Sequence, residues 1–324
     1  MTASAWGADD ARSHVRRRLG LDTAAAVALS GGLMNHVHRV WRADGAGSVI
    51  VKHAPPHVAS APGIAVDPAR SGFEARALRW LATRLDRRVR VPRLLDEAPG
   101  VLILEDLGDV PDLGRWLTAG GDPVVVEHLG DWLRVLHVDV AAPGQANTAV
   151  QATRLAVQYG AVGGWLLEHG VRDAAVLGER ARALGARLLE SGPTFVMGDL
   201  WPASVRVAQD GALQLIDWEF STRGRPCQDL GHLAAHLWMG AQAGQWRPGA
   251  ARRFLRAASA TSSTRADEVA IHFACEVLIR TLGPFRSSGS LAGRVSSDPV
   301  LLEVVATAVE TLRTGRLPDG VGRA

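Results

Sequence analysis

Residues 197–220 read MGDLWPASVRVAQDGALQLIDWEF. An apolar run ends in Gly198-Asp199, a Pro-containing loop follows, and two strand-like pieces, SVRVAQD and ALQLIDWEF, meet at an Asp-Gly turn. An acid at the mouth of such a loop can accept a hydroxyl proton or orient the hydroxyl for attack, which makes Asp199 the candidate catalytic residue. The second piece ends in two carboxylates, Asp217 and Glu219. On a strand, residues i and i+2 point the same way, so these two are expected to share a face and to suit magnesium, a hard cation that prefers oxygen donors.

Outward from this stretch the texture of the chain divides. The first hundred residues read as strands with one long helix: AAVALSGG and VHRVWRA around a Gly-containing connection, the turn DGAGS, then VIVKHA. A Pro- and Gly-rich excursion leads to RSGFEARALRWLATRL, where Phe73, Ala77, Leu78 and Leu81 recur at helical spacing. VRVPRLLDEA and GVLILEDLG complete a sheet of about five strands. After Gly108 the pattern turns helical, in PVVVEHLGDWLRVLHV, AAVLGERARALGARLLE, CQDLGHLAAHLWMGA and RADEVAIHFACEVLIRTL. The expected class is α+β, with a sheet lobe over 1–108 and a larger, mainly helical lobe over 109–324.

Composition narrows the function classes. Of 324 residues, 47% are hydrophobic and 21% charged, which fits a globular chain with a substantial core. A formal net charge of +3 is small for this length, and no basic stripe interleaved with aromatics appears, so nucleic acid is not the expected partner. Two cysteines, Cys227 and Cys275, lack metal-ligand spacing and point to a reducing, cytoplasmic setting. The N-terminal segment carries Asp9 and Asp10 and lacks an apolar core, so it is not a secretory signal; its Arg and Ala content leaves a mitochondrial address open. No apolar run approaches the roughly 18 residues of a membrane span.

One residue stands out against the bias of the composition. The chain has 36 strong cations, and 35 are arginine; the single lysine is Lys52, inside VIVKHA. A lysine is a compact point charge that binds phosphate oxygens, and a carboxylate on a facing helix, Glu74, can hold it in place. Arginine's planar fork does not replace it at such a site. Gly31 and Gly32, in the turn before VHRVWRA, would let backbone N–H groups approach a phosphate closely.

SGG-x-x-N, VIVKHA, FEARAL, MGDLWPAS and LIDWEF…GRPCQDLGHL together resemble the aminoglycoside phosphotransferase and choline kinase family, small-molecule relatives of the protein kinases, over roughly residues 25–240. Met197-Gly-Asp-Leu-Trp resembles a fungal branch that includes 4-hydroxytryptamine kinase, and Ser204 with the Asp-x-Glu pair resembles methylthioribose kinases. The resemblance implies a bilobal protein-kinase-like fold and transfer of the γ-phosphate of ATP, with Mg2+, to a hydroxyl of a small molecule. It implies Asp199 as the acid-base residue and Gly31, Gly32 and Asn35 as the nucleotide loop. Lys52 would lie on the α and β phosphates with Glu74 as its partner. Backbone groups of Leu104–Leu107, and so of Glu105, Asp106 and Leu107, would receive the adenine. Asp217 would hold the metal, joined by Glu219 as in the methylthioribose branch, and Asp229 would steady the catalytic loop. Two positions depart from the pattern: Met197 stands where most members have His, and Ser204 where most have the Asn that ligates a second metal. A hydroxyl is a weaker magnesium ligand than an amide carbonyl, which leaves a catalytically impaired nucleotide-binding scaffold as the alternative. The acceptor is not specified. Residues 241–324 hold 11 Arg against 7 Asp plus Glu, which disfavours polycationic aminoglycosides. Trp201, Trp218 and Trp238 are expected to be core, and the protein to act as a monomer or homodimer.

Overall fold

The chain is described by a computed structural model over residues 6–30, 32–83, 88–138, 144, 146–259, 264–286 and 290–322. The described residues cluster into two units: residues up to Asp109 together with Gln214–Phe220, and the described parts of Val110–Leu213 and Ser221–Ala324. The segment carrying Asp217 and Glu219 thus belongs with the sheet, not with the helices that flank it in sequence.

In the first unit, β1 (Thr23–Ala28), β2 (His36–Arg42), β3 (Ser48–His53), β4 (Leu94–Ala98) and β5 (Val101–Glu105) form an antiparallel sheet in the order β1-β2-β3-β5-β4. β3 is central, and Lys52 on it pairs with Val37 of β2 and Leu102 of β5. Alternation along β3 sends Val49 and Val51 to one face, where they pack with Val40 and Ile103 beneath α1 (Ala8–Leu19). The other face carries Lys52 toward α2 (Arg70–Leu81). The sequence assigns one long helix to this unit; the structure has two. α1 shows the charge order its ends favour, with Asp9 and Asp10 in its first turn and Arg16, Arg17 and Arg18 in its last. Two of those arginines tie the helix to the sheet: Arg16 donates to Thr23 O, and Arg18 binds both carboxylate oxygens of Asp96 at 2.7 and 2.9 Å. The Pro- and Gly-rich excursion contains a short hairpin, His57–Val58 with Ala61–Ala65.

The second unit is mainly helical: α3 (Leu113–Thr118), α4 (Val124–Leu136), α5 (Thr148–Arg154), α6 (Val162–Glu168), α7 (Ala174–Ala186), α8 (Cys227–Gln242), α9 (Ala250–Ala258), α10 (Ala266–Thr281) and α11 (Pro299–Thr314). α5 runs directly into one π-helical turn, Leu155–Tyr159. α8 and α10 are buried on all sides over most of their length, so they show no polar face. They cross closely at Gly231, where a Cβ would come within 2.5 Å of the His272 side chain. Short strands β6 (Thr194–Val196) and β9 (Thr222–Gly224) pair antiparallel, while β7 (Val205–Val207) and β8 (Leu213–Leu215) flank the Asp210-Gly211 turn. Cys227 and Cys275 are buried free thiols, and no described helix is long and apolar enough to cross a membrane.

Candidate active site

The first unit gathers its charged residues under the central strand. The Lys52 ammonium lies 2.8 Å from Glu74 Oε2, 3.0 Å from Asp217 Oδ1 and 3.8 Å from Glu219 Oε1. Burial alone would lower its pKa, but the carboxylates of Asp217, Glu74 and Glu219 overcome that and raise it, so Lys52 stays charged. One ammonium cannot satisfy three carboxylates. Burial pushes the pKa of Glu74, which is fully enclosed, up. Its Oε1 also accepts the Trp218 amide at 3.3 Å, tying α2 to the turn that carries Asp217.

Asp217 and Glu219 do not sit on a strand. β8 ends at Leu215, Trp218–Phe220 form a 3-10 turn, and Asp217 adopts φ 65°. It is the only non-glycine in the left-handed region among the described residues, a conformation that costs energy and marks positions held for function. The two carboxylates therefore differ in environment. Asp217 keeps 38% of its side chain exposed, with Lys52 on one oxygen. Glu219 is buried and engaged at both oxygens, by Asn35 Nδ2 at 2.7 Å and by Arg70 Nε at 2.8 Å. These two bonds make Glu219 an anchor between Asn35 and α2. The excess of carboxylate over cation and the exposure of Asp217 fit a divalent cation at Asp217.

Arg70 was not anticipated from the sequence. It is wholly buried, one helical turn before Glu74 on the same face of α2. Besides Glu219 it binds Pro55 O, Asp67 O, Met34 O and Asn35 Oδ1 at 2.9–3.1 Å. Asn35 is consequently locked into this network, and its side chain is not a free phosphate donor. Gly31 lies outside the described residues. Gly32 has no backbone requirement for glycine: a Cβ there would meet only Val37 and Asn35 at 3.8 and 3.9 Å. At the expected adenine segment, the side chains are structural. Glu105 binds Arg90 and Arg93, and its amide donates to Arg93 O at 2.9 Å. Asp106 accepts from Arg39, Ser48 and the Gly108 amide, bonds that outweigh its burial and lower its pKa. The Leu107 carbonyl accepts weakly from Gln214 Nε2 at 3.4 Å.

In the second unit the loop after β6 is held from beneath. Asp229, fully buried at the start of α8, accepts the Met197 and Gly198 amides at 2.9 and 2.8 Å. Gly198, at φ 80°, turns the chain so that Asp199 follows with a quarter of its side chain exposed. Arg154, at the end of α5, is the second residue the sequence did not reveal. Its guanidinium donates to Gly198 O and to Asp199 Oδ1, and lies 3.1 Å from His232 Nδ1. Behind it, His232 Nε2 and His272 Nδ1 contact the Tyr159 hydroxyl at 3.1 and 2.6 Å. Ser204 is buried and closes the 3-10 turn: its hydroxyl donates to Trp201 O at 2.8 Å and accepts the Trp201 amide at 3.2 Å. The Ser204 hydroxyl thus acts as a cap of this turn. Met197, Trp218 and Trp238 are core, as Trp201, only half-buried, is not.

A profile of the Phosphotransferase enzyme family (APH) matches residues 26–266. The 4-hydroxytryptamine kinase of the fungus Psilocybe cyanescens is 26% identical over 254 residues, 68% of this chain and 70% of that protein. Among solved structures, a choline kinase of Streptococcus pneumoniae superposes with a TM-score of 0.57 at 15% identity, covering 94% of this chain and 98% of that one. A spectinomycin phosphotransferase crystallised with ADP and spectinomycin gives 0.55 at 11% identity, over 95% and 98%. With its α+β architecture of antiparallel sheet and helices, the chain belongs to the phosphotransferase enzyme family of small-molecule kinases, which share the protein-kinase-like fold.

Proposed function

We propose that this protein transfers the γ-phosphate of MgATP to a hydroxyl of a small molecule. The observation that carries the reading is the Lys52–Glu74–Asp217 cluster, an ammonium buried under a central strand beside an exposed carboxylate. In phosphoryl transfer the protein mainly positions groups and offsets charge. Lys52 would meet phosphate oxygens, and Glu74 would keep it there. Asp217 would hold the magnesium of the co-substrate, which when bound neutralises phosphate charge. Backbone groups at Glu105–Leu107 would take the base. Asp199 would align the acceptor hydroxyl and receive its proton, with Arg154, which also donates to the Gly198 carbonyl, fixing its carboxylate.

Family membership and small-molecule kinase relatives support the reaction class. The two buried thiols, Cys227 and Cys275, with no disulfide between them, support a reducing cytoplasm as the setting. The test is transfer of label from γ-labelled ATP across a panel of hydroxylated small molecules, with and without magnesium. Magnesium-dependent transfer to one acceptor class is the expected result. Tight ATP binding without transfer to any acceptor would instead favour a nucleotide-binding scaffold.

A further inference from the structure

The second unit contains a cavity of about 480 Å³ whose wall includes Trp201, two residues beyond Asp199. Opposite elements contribute Gly114 and Ala119 at the two ends of α3, His236 of α8, and Trp246. The volume is in the range of sites for small organic ligands, which are lined mostly by apolar and aromatic groups.

The sequence makes this space in a specific way. Trp246 donates its indole N–H to Leu237 O at 2.9 Å and lies so close to α8 that a Cβ at Gly240 would come within 1.8 Å of its ring. Any side chain at Gly240 would push the indole away. At Gly114, a Cβ would press on Asp112 Oδ1 at 3.2 Å and stand 3.7 Å from Pro202 and 4.0 Å from Trp246, so glycine is the residue this part of the wall accommodates without displacing a neighbour. Trp201 is backed by the Arg280 guanidinium, 5.0 Å from its ring centroid, and by His236 at 5.8 Å. Arg280 is itself held by Glu276 at 2.8 Å, so both indoles are fixed before any ligand arrives.

The charge of the wall is equally informative. Asp112 is the one carboxylate among the described lining residues, and it is already used: it caps α3 through the Arg115 amide at 2.9 Å and pairs with the Arg115 guanidinium at 3.5 Å. His236 gives its Nε2 to Glu276 at 3.0 Å. A ligand with several ammonium groups would find no free carboxylate there and would lose hydration without compensation.

We infer that this cavity receives the acceptor, and that the acceptor is a flat, largely apolar aromatic alcohol or phenol with at most one charged group, lying against Trp201 and Trp246. The inference rests on the kinase reading for the word acceptor; the binding preference of the cavity stands apart from it. A flat ring fits two indoles whose positions are already set, and the single paired carboxylate leaves specificity to shape and stacking.

The test is calorimetric titration of the whole chain, loaded with magnesium and a non-hydrolysable ATP analogue, with 4-hydroxyindole, choline and kanamycin. Trp246→Ala and Ala119→Phe are titrated in parallel; Ala119 is an exposed wall position where a larger ring narrows the cavity without entering the core. The expected result is binding of 4-hydroxyindole with a Kd below about 1 mM. Each variant should weaken that binding by about tenfold while nucleotide affinity is unchanged, and kanamycin should not bind. If Trp246→Ala does not fold, Ala119→Phe carries the test. No binding of 4-hydroxyindole, binding indifferent to both substitutions, or tighter binding of choline or kanamycin overturns the inference, even if that other compound is phosphorylated. Cavity-dependent binding of 4-hydroxyindole without MgATP turnover would support the site and count against the kinase reading alone.

Discussion

Arg154 donates to the carboxylate of Asp199 from the end of α5, 45 residues away in sequence. The same guanidinium binds the Gly198 carbonyl and contacts His232, so the candidate catalytic acid is gripped from a buried, charged base. The carboxylates around Arg154 raise its pKa despite its burial, and it remains a cation.

Removing that grip should lower turnover without touching the nucleotide. A charge-assisted hydrogen bond of this kind is worth about 1.5–3 kcal/mol, so Arg154→Met is expected to reduce kcat by about 10- to 100-fold. ATP affinity should stay within about twofold. Arg154→Lys keeps the charge but not the fork and should recover part of the loss. Steady-state kinetics beside nucleotide titrations settle it; equal losses in both quantities would mean the arginine serves the fold and not Asp199.

The two acids of the Asp-x-Glu pair should part company. Asp217→Asn is expected to abolish the magnesium response of turnover. Glu219→Gln should leave that response intact and instead destabilise the protein by about 3 kcal/mol, because Arg70 loses the charge it was buried against. Magnesium titrations paired with denaturant melts separate the cases. A large rise in half-saturating magnesium for Glu219→Gln, at unchanged stability, would return Glu219 to the metal.

Ser204 offers a narrower check. Its hydroxyl bridges the two ends of one 3-10 turn, so Ser204→Ala should cost about 1 kcal/mol of stability and leave magnesium dependence unaltered. Altered metal dependence at full stability would argue that the hydroxyl reaches the ion.

The buried imidazoles set a pH dependence. His272 is pushed down to about 3 by burial, with Arg154 adding to the shift, from an ordinary value of 6.5. The folded state therefore binds fewer protons than the unfolded one, and the contribution of this group is complete above pH 6.5 and lost as pH falls toward 3. At pH 5 the loss is about 2 kcal/mol from His272. His232 and His236, also lowered by burial, act with the same sign. Urea midpoints should fall between pH 7 and pH 5, and less steeply in His272→Gln. Identical slopes in the two proteins would place the acid sensitivity elsewhere.

Much of this architecture is legible in the residues themselves. Alternation around VIVKHA places β3, and burial of Lys52 among strand residues forecasts its ion pair with Glu74, because a lysine in a central strand requires a counter-charge. α4 and α7 announce themselves by apolar stripes. α6 does not: its VGGWLLE holds two glycines, which periodicity counts against a helix, yet Gly163 is where α6 approaches Gly178 of α7 backbone to backbone. The site is half legible. Asp199 follows a Gly-containing turn at the end of a strand, as its local pattern directs, whereas Asp217 lies beyond the strand that its pattern extends to it. The shared face expected of Asp217 and Glu219 is not found, because a left-handed residue at Asp217 breaks the strand alternation on which it depends. Arg70 and Arg154 stay hidden for a different reason. In a chain where nearly every cation is arginine, composition cannot mark the ones that matter, and their partners lie 149 and 45 residues away.

The most direct test is a comparison of wild-type and Asp199→Asn protein, measuring ATP affinity and acceptor-dependent ADP release in the same preparations with magnesium. The account predicts ATP affinity within about twofold and ADP release reduced by at least about 100-fold, because losing a positioned base removes about 10²- to 10⁴-fold of rate. Near-normal release from Asp199→Asn would contradict it and move the chemistry to another residue.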